Sequence, residues 1–217
     1  MKSITQYNNE SNVPEINDSD LSKGIVDLGL SVKWASCNIG ADKPYEYGKL
    51  FQFGRVDGYE YGDSSHQFIT YKQNKADTEN KYIPLTTSGK TYSKGEVLDK
   101  EDDAAYVATN GKLRMPTKKE IDELLNNTKN KICKVNGVYG RLFTGSNGNN
   151  IFIPAAGYFD DNHNSFYNEG SDGDIWSSSV ESNNDDSAYY LDFYSGGCSC
   201  AGYYRCGGFS VRGVCKY

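Results

Sequence analysis

From Ile25 the chain alternates apolar and polar positions through Ile25-Val26-Asp27-Leu28-Gly29-Leu30-Ser31-Val32-Lys33-Trp34-Ala35. That period of two predicts a short hairpin with Gly29 near its turn. Leu50-Phe51-Gln52-Phe53-Gly54 predicts a further strand, and residues 55–99 then keep no sustained period, which reads as a functional loop or an insertion. Two helices follow. Asp99 to Ala108 opens with acidic residues, continues through Ala104, Ala105, Val107 and Ala108, and is stopped by Gly111. Thr117 with Glu120 spells a capping box behind Pro116, and Ile121, Leu124 and Leu125 give the helix one apolar face. Short strands divided by Gly/Asn turns are predicted near Ile132–Val135, Arg141–Thr144, Ile151–Pro154, Ile175–Ser178, Ala188–Phe193 and Phe209–Val214. Two helices and many short antiparallel strands make an α+β domain. Residues 1–24 are polar and read as a flexible lead or attachment segment, which leaves 25–217 as the domain.

Charge narrows the possible partners. The chain of 217 residues carries 23 Lys plus Arg against 29 Asp plus Glu, a net charge of −6, with no basic run to grip phosphates. Nucleic acid is therefore not expected as a partner. No apolar run approaches the roughly 20 residues needed to span a bilayer, so no membrane insertion is expected. The polar start, Met1 to Glu10, lacks the apolar stretch of a secretory signal. Apolar residues are only 37% of the chain, but 18 tyrosines supply rings that bury area and still offer a hydroxyl to water.

Motifs for catalysis are scarce, and no enzymatic activity is expected. The two histidines, His66 and His163, stand in polar stretches without metal-ligand spacing. No Ser/His or Cys/His arrangement, nucleophile elbow or phosphate-cradling glycine loop is present. Cys37 and Cys133 are isolated, whereas Cys198, Cys200, Cys206 and Cys215 crowd the end of the chain. The C-x-C spacing places two sulfurs on one face of a strand and does not match a zinc knuckle; disulfides and free thiols stay open. Asp160-Asp161-Asn162, Asp172 with Asp174, and Asn183-Asn184-Asp185-Asp186 are oxygen-rich, so calcium is a candidate cofactor, although none has the EF-hand spacing and such turns also arise from backbone preference alone.

The most informative stretch is Ser182 to Cys215, which contains no Lys, Glu, Gln, Met, Trp or Pro. Outside an apolar frame of Leu191, Phe193, Phe209, Val211 and Val214 it consists of Asn, Asp, Ser, Gly, Ala, Cys, Tyr and Arg. All of these are reachable from the codon AAC by changing only its adenines. If Leu191 and Phe193 face the core, the strand period turns Tyr190, Asp192 and Tyr194 outward. Tyr amid Ser and Gly is the composition of an adaptable binding surface. A bland edge strand would instead carry Lys or Glu to deter pairing. Trp176, in Trp-Ser-Ser-Ser, is expected as a core anchor whose N–H finds a carbonyl, the alternative being a platform for a sugar. Arg212 is expected to be buried against a carboxylate.

Several blocks carry a resemblance. They are Val26-Asp27-Leu28-Gly29-Leu30, Lys33-Trp34-Ala35, Asn38-Ile39-Gly40-Ala41, Tyr47-Gly48-Lys49-Leu50-Phe51-Gln52-Phe53-Gly54, Leu113-Arg114-Met115-Pro116-Thr117, Ile151-Phe152-Ile153-Pro154-Ala155-Ala156-Gly157-Tyr158, Trp176-Ser177-Ser178-Ser179 and Gly208-Phe209-Ser210-Val211-Arg212. Together they resemble the paralogous surface domains of gut bacteria and their phages, related to the formylglycine-generating-enzyme branch of the C-type lectin fold. The tail further resembles the variable proteins of diversity-generating retroelements, in which error-prone copying of template adenines scrambles surface codons. The resemblance implies a C-type lectin fold and a receptor-binding module with a variable region at 182–215. Its binding residues would be Tyr190, Asp192, Tyr194, Cys198, Cys200, Tyr203, Tyr204 and Cys206. It implies a place on a phage tail fibre or a cell surface, a host protein or glycan receptor as partner, and a homo-oligomer within a larger fibre, for which no heptad pattern is present. A cell-surface adhesin or glycan-binding domain without diversification is the alternative. More remote is an oxidase of the formylglycine-generating type, using a cysteine pair and copper.

Overall fold

The computed structural model describes residues 13–60, 85–160 and 165–217. In chain order the strands β1 (Glu15–Ile16), β2 (Ile25–Val26), β3 (Lys33–Asn38), β4 (Lys49–Phe51) and β5 (Tyr59–Glu60) precede two helices, α1 (Ala104–Ala108) and α2 (Lys118–Asn127). After them come β6 (Lys129–Val135), β7 (Val138–Thr144), β8 (Asn150–Pro154), β9 (Tyr158–Asp160) and β10 (Ser165–Tyr167). The chain ends with β11 (Gly173–Val180), β12 (Ser187–Tyr194), β13 (Gly197–Tyr204), β14 (Phe209–Ser210) and β15 (Arg212–Cys215). The architecture is a sheet-rich α+β fold. Its largest sheet runs β13-β12-β11-β14-β4-β5, beside β1-β6-β7-β8, β15-β3-β2 and the β9-β10 pair. Neighbours are antiparallel except β1 with β6 and β11 with β14, which are parallel.

The opening alternation closes as the expected hairpin, Val26 opposite Trp34, with Gly29 at φ 75° in the turn, a conformation that side chains with a Cβ adopt at a cost. The capping box at α2 is complete. Thr117 accepts from the Glu120 N–H, and the Glu120 carboxylate accepts from the Thr117 N–H at 2.8 Å. The earlier helix is shorter than the Asp99–Ala108 span. Asp102 is drawn away to accept from the Ser88 N–H and hydroxyl, both at 2.6 Å, and from the Tyr92 hydroxyl at 2.8 Å. Asp103 then caps α1 by accepting from the Tyr106 N–H at 2.9 Å. The acidic residues expected in the first turn thus build the approach to the helix.

Residues 13–24 depart from the expected flexible lead. Glu15 and Ile16 pair with Lys134 and Val135, Leu21 is buried, and the Ser22 N–H donates to Asn150 Oδ1 at 3.2 Å. A few apolar residues spaced through a polar segment suffice to dock it, so the folded region includes the chain from Pro14 onward. The span expected as one strand, Phe209–Val214, is divided between two sheets. Phe209 and Ser210 pair with β4, while Arg212 to Cys215 pair with β3. Val211 lies at the crossing, and its carbonyl accepts from the Ile39 N–H at 2.8 Å.

Two apolar clusters hold the main sheet. One packs Ile121 and Leu124 of α2 with Trp34, Phe143, Ile151, Ile175, Leu191 and Phe193. The other gathers Phe51, Phe53, Met115, Trp176, Phe209 and Val211. Each such side chain, fully buried, contributes about 1.5–3 kcal/mol from water exclusion. Gly173 serves the first cluster by its lack of a side chain, because a Cβ there would meet the Phe193 ring at 2.1 Å.

Candidate binding face

The candidate surface is built on three strands. β12 and β13 form a hairpin in continuous register from Ser187 opposite Tyr204 to Tyr194 opposite Gly197, closed by the two residues Ser195 and Gly196. β13 was not foreseen as a strand. Its Gly, Ser and Cys residues have weak strand preference, and pairing along the full length of β12 supplies what propensity does not. On the other side of β12, β11 sets Trp176 opposite Tyr190 and Asp174 opposite Asp192.

Side chains directly opposite one another share a face of a sheet, and the faces alternate along each strand. Ala188, Tyr190, Asp192 and Tyr194 therefore share one face with Tyr203, Ala201, Ser199, Asp174 and Trp176. Toward Ala188 this face is covered by the Phe53, Tyr92 and Leu98 cluster. Toward Tyr194 it opens, with Tyr190 and Asp192 half-buried and Tyr194 47% exposed. The Tyr190 ring lies 6.0 Å from Trp176 and 6.2 Å from Tyr203, and Tyr158 of β9 approaches Tyr203 at 5.5 Å and stacks on Tyr167 at 5.8 Å. Four of the sequence-derived site residues, Tyr190, Asp192, Tyr194 and Tyr203, are thus brought together.

The other four are not. Cys198 and Cys200 lie on the opposite face with Leu191 and Phe193, half-buried against the first apolar cluster. Cys198 Sγ is 3.5 Å from Asn130 Oδ1, and burial pushes the Cys200 thiol up to about 12. Such a thiol stays protonated and is a poor nucleophile at neutral pH. Cys206 lies beyond the hairpin at 2% exposure, inside the protein. Tyr204 is exposed but sits opposite Ser187 on the face shared with the two cysteines. The strand period is the cause of this partition, since scrambled composition leaves it untouched. No disulfide links cysteines among the described residues.

Asp174, named in the sequence only as a candidate calcium ligand with Asp172, and Tyr158, named for no binding role, also enter the face. The signal was present for Asp174, which stands two residues before Trp176 and so shares its face; for Tyr158, which arrives from a separate strand, the sequence carries none. Asp174 is only 4% exposed, and its Oδ2 has no hydrogen-bond partner. Burial, then the charges of Asp192 and Asp172, push its carboxyl well above the ordinary carboxylate range. Burial and Asp172 likewise raise Asp192, against the opposing pull of Arg141. Burial raises the Tyr190 and Tyr203 phenols, which stay neutral hydroxyls.

The framework residues are placed as follows. Trp176 is fully buried and its Nε1–H donates to the Phe51 carbonyl at 2.8 Å, so it anchors the core. Arg212 is fully buried, but the expected carboxylate partner is replaced by neutral acceptors. Its guanidinium donates to Asn38 Oδ1 at 2.8 Å and to the carbonyls of Ala35 and Phe152 at 3.0 and 3.1 Å. Three carbonyl-type oxygens from two strands, β3 and β8, satisfy the fork that a single carboxylate would satisfy in part.

For calcium, Asp185 is already engaged in accepting from the Lys94 N–H at 2.7 Å, and Asp172 accepts from Asn168 Nδ2 at 2.6 Å. Among the described residues no three His, Cys, Asp or Glu side chains are grouped to hold a metal ion. His66, His163, Asp161 and Asn162 lie outside the described residues. Among the described residues no helix is long and apolar enough to cross a membrane. No protein-family model matches the chain, no curated protein matches it, and no solved structure matches it.

Proposed function

We propose that this protein is a receptor-binding module on a C-type-lectin-type scaffold, with the open face of the β12–β13 hairpin as its contact surface and its codons diversified by a retroelement. The observation that carries this reading is the partition of β12. Leu191 and Phe193 are fully buried, while Tyr190, Asp192 and Tyr194, interleaved with them, turn to the other face. Asp192 and Tyr194 on such a surface can change without disturbing Leu191 and Phe193, which is what a diversified binder requires, while Tyr190 and Tyr203 also pack on Trp176 and Phe209 and so tie the face to the framework. Tyrosine suits the task because its ring contributes large contact area with few torsions to freeze, while Ser195, Gly196 and Ser199 supply adaptable polar contacts. A phage tail fibre or a bacterial surface is the setting that fits this chemistry, with a host protein or glycan as partner.

Two measurements test the proposal. The DNA around the gene should contain a near-repeat of the segment encoding residues 182–215, differing only at adenines and accompanied by a reverse transcriptase gene. Absence of such a repeat removes diversification and leaves a plain adhesin. Fluorescently labelled full chain should stain intact gut bacteria, and Tyr194→Ala should reduce staining by about tenfold or more, the effect of removing an interface anchor. Equal staining by the variant would place the contact surface elsewhere.

A further inference from the structure

The open face carries charge of one sign. Asp174 and Asp192 stand directly opposite one another on neighbouring strands, an arrangement that weakens a sheet when both are ionised. Asp172 adds a third carboxylate close enough for its charge to bear on both. Among the described residues no ion pair includes any of the three. The guanidinium that bears on Asp192, that of Arg141, donates instead to Asn130 Oδ1 at 2.9 Å and to the Tyr194 carbonyl at 3.4 Å. Asp174 Oδ2 is the clearest anomaly, an oxygen with no donor on a side chain that is only 4% exposed. A buried carboxylate oxygen without a donor is costly, and the cost is relieved either by a proton, the direction in which burial pushes Asp174, or by a bound group of opposite charge. Around these acids stand tyrosine rings, Tyr190 over the buried Trp176 and Phe209, and Tyr158 edge-on to Tyr203.

The geometry points to recognition of an organic cation, an ammonium or guanidinium group, held between Asp174 and Asp192 and walled by Tyr158, Tyr190 and Tyr203. This rests on the binding function proposed above and deepens it by naming the chemistry of the ligand. Aromatic rings attract a cation through their negative faces, and the attraction is greatest where water is partly excluded. A bare metal ion fits less well. It needs several oxygens converging at short range, and among the described residues no such group is present. A cation with its charge spread over N–H or C–H groups can use acid and ring together.

The cation can belong to a Lys or Arg side chain of a partner protein or to an amino sugar, and the test separates them. Isotope-labelled full chain is titrated with Nα-acetyl-lysine amide, Nα-acetyl-arginine amide, glucosamine, calcium chloride and, as an uncharged control, Nα-acetyl-norleucine amide, with amide NMR shifts as the readout. Saturable shifts confined to residues 172–176, 187–204 and Tyr158 are expected for the organic cations and not for norleucine amide. The amino-acid amides alone identify a polypeptide source, glucosamine alone an amino sugar. Asp174→Asn and Asp192→Asn should each weaken binding about tenfold, the loss of one charge-assisted contact. Near-UV circular dichroism checks the fold, and Asp192→Asn decides if Asp174→Asn is misfolded. Equal response to norleucine amide, response to calcium alone, or unchanged affinity in a folded Asp192→Asn variant overturns the inference. If no probe binds while the full chain still stains cells in a Tyr194-dependent manner, the cation inference falls and the binding function stands. If the probes bind and no cell is stained, the cation site stands and the receptor reading falls.

Discussion

Replacing Asp174 by Asn should make the protein more stable at neutral pH while weakening the proposed cation site. At neutral pH the wild-type fold must either keep Asp174 charged beside Asp192, with Oδ2 unpartnered, or hold a proton there. An amide removes the charge, and its NH2 can donate to the Asp192 carboxylate across the strand pair. Leaving a buried acceptor unsatisfied costs about 1–3 kcal/mol, and like charges opposite one another in a sheet add about 0.2–1 kcal/mol. A gain of about 1–3 kcal/mol at pH 7 is expected, or roughly 2–4 °C in Tm for each kcal/mol in a chain of this length. The sign of the pH dependence follows from the raised carboxyl. The protonated form is the one the fold prefers, so the contribution of Asp174 is most favourable below the ordinary carboxyl range and is lost as pH rises through its folded-state value. Thermal and urea unfolding between pH 4 and pH 8 should therefore show the variant gaining on the wild type as pH increases. Asp192, Asp172, Asp160, Tyr158, Tyr190, Tyr203 and Arg141 face the same region, and burial also raises the Asp192 and Asp172 carboxyls, so part of the pH slope persists in the variant through those two. A variant that is less stable at pH 7, with the wild-type pH slope intact, would refute the reasoning, because Asp174 would then have a partner that stabilises its charge.

Other outcomes follow from the framework. Thr117→Ala should cost about 1 kcal/mol by removing one half of the capping box at α2, measured by urea unfolding at pH 7. Burial raises the Glu120 carboxyl, but Arg114 and the Thr117 N–H outweigh it and leave the group below its ordinary value. Its stabilisation is accordingly present above the usual Glu range and lost on acidification, and Glu120→Gln should flatten that acid limb. Arg212→Met should cost about 3–5 kcal/mol, because Asn38, Ala35 and Phe152 lose their common donor, and Arg212→Lys should not restore the wild-type melting temperature, since a single ammonium cannot copy the planar fork. Cys198→Ser should leave cell staining unchanged while Tyr194→Ala reduces it, because the thiol faces the core side of the hairpin and the ring does not.

Much of the framework was legible because local signals and tertiary demands agree. Thr117 and Glu120 cap α2 as their spacing foretells, the first hairpin closes where the alternation and Gly29 put it, and Trp176 buries its ring and bonds its N–H to a carbonyl. The misses share a cause, which is reliance on partners distant in sequence. β13 has little strand preference of its own and exists because β12 offers eight residues in register. Leu21 needs a site near β6 and β8 before its segment has any reason to be ordered. The proposed binding surface was half legible for the same reason. Composition marked residues 182–215 as exceptional, but composition has no period, so it placed Cys198 and Cys200 alongside Tyr194 although the pleat sends them to opposite faces. Tyr158 reaches the face from β9, and only the folded chain makes them neighbours.

That pleat also limits what a diversified hairpin of this kind can become. Leu191 and Phe193 are fully buried, and a Cβ at Gly173 would strike the Phe193 ring, so these positions have almost no freedom. Large-to-small changes there would cost about 2–5 kcal/mol each, a large share of the 5–15 kcal/mol that holds a typical domain together. On the proposed reading, variation that reaches every codon in the segment would be purged at the inward positions and retained at the outward ones. The outward set is small, so each member must contribute much, and Tyr190, Tyr194 and Tyr203 are the residue type that does so at least entropic cost. Asp174 stands outside residues 182–215, on the framework strand β11. If it supplies the fixed charge at the floor of the face, then the diversified residues around it adjust shape while the preference for a cation stays constant from one variant to the next.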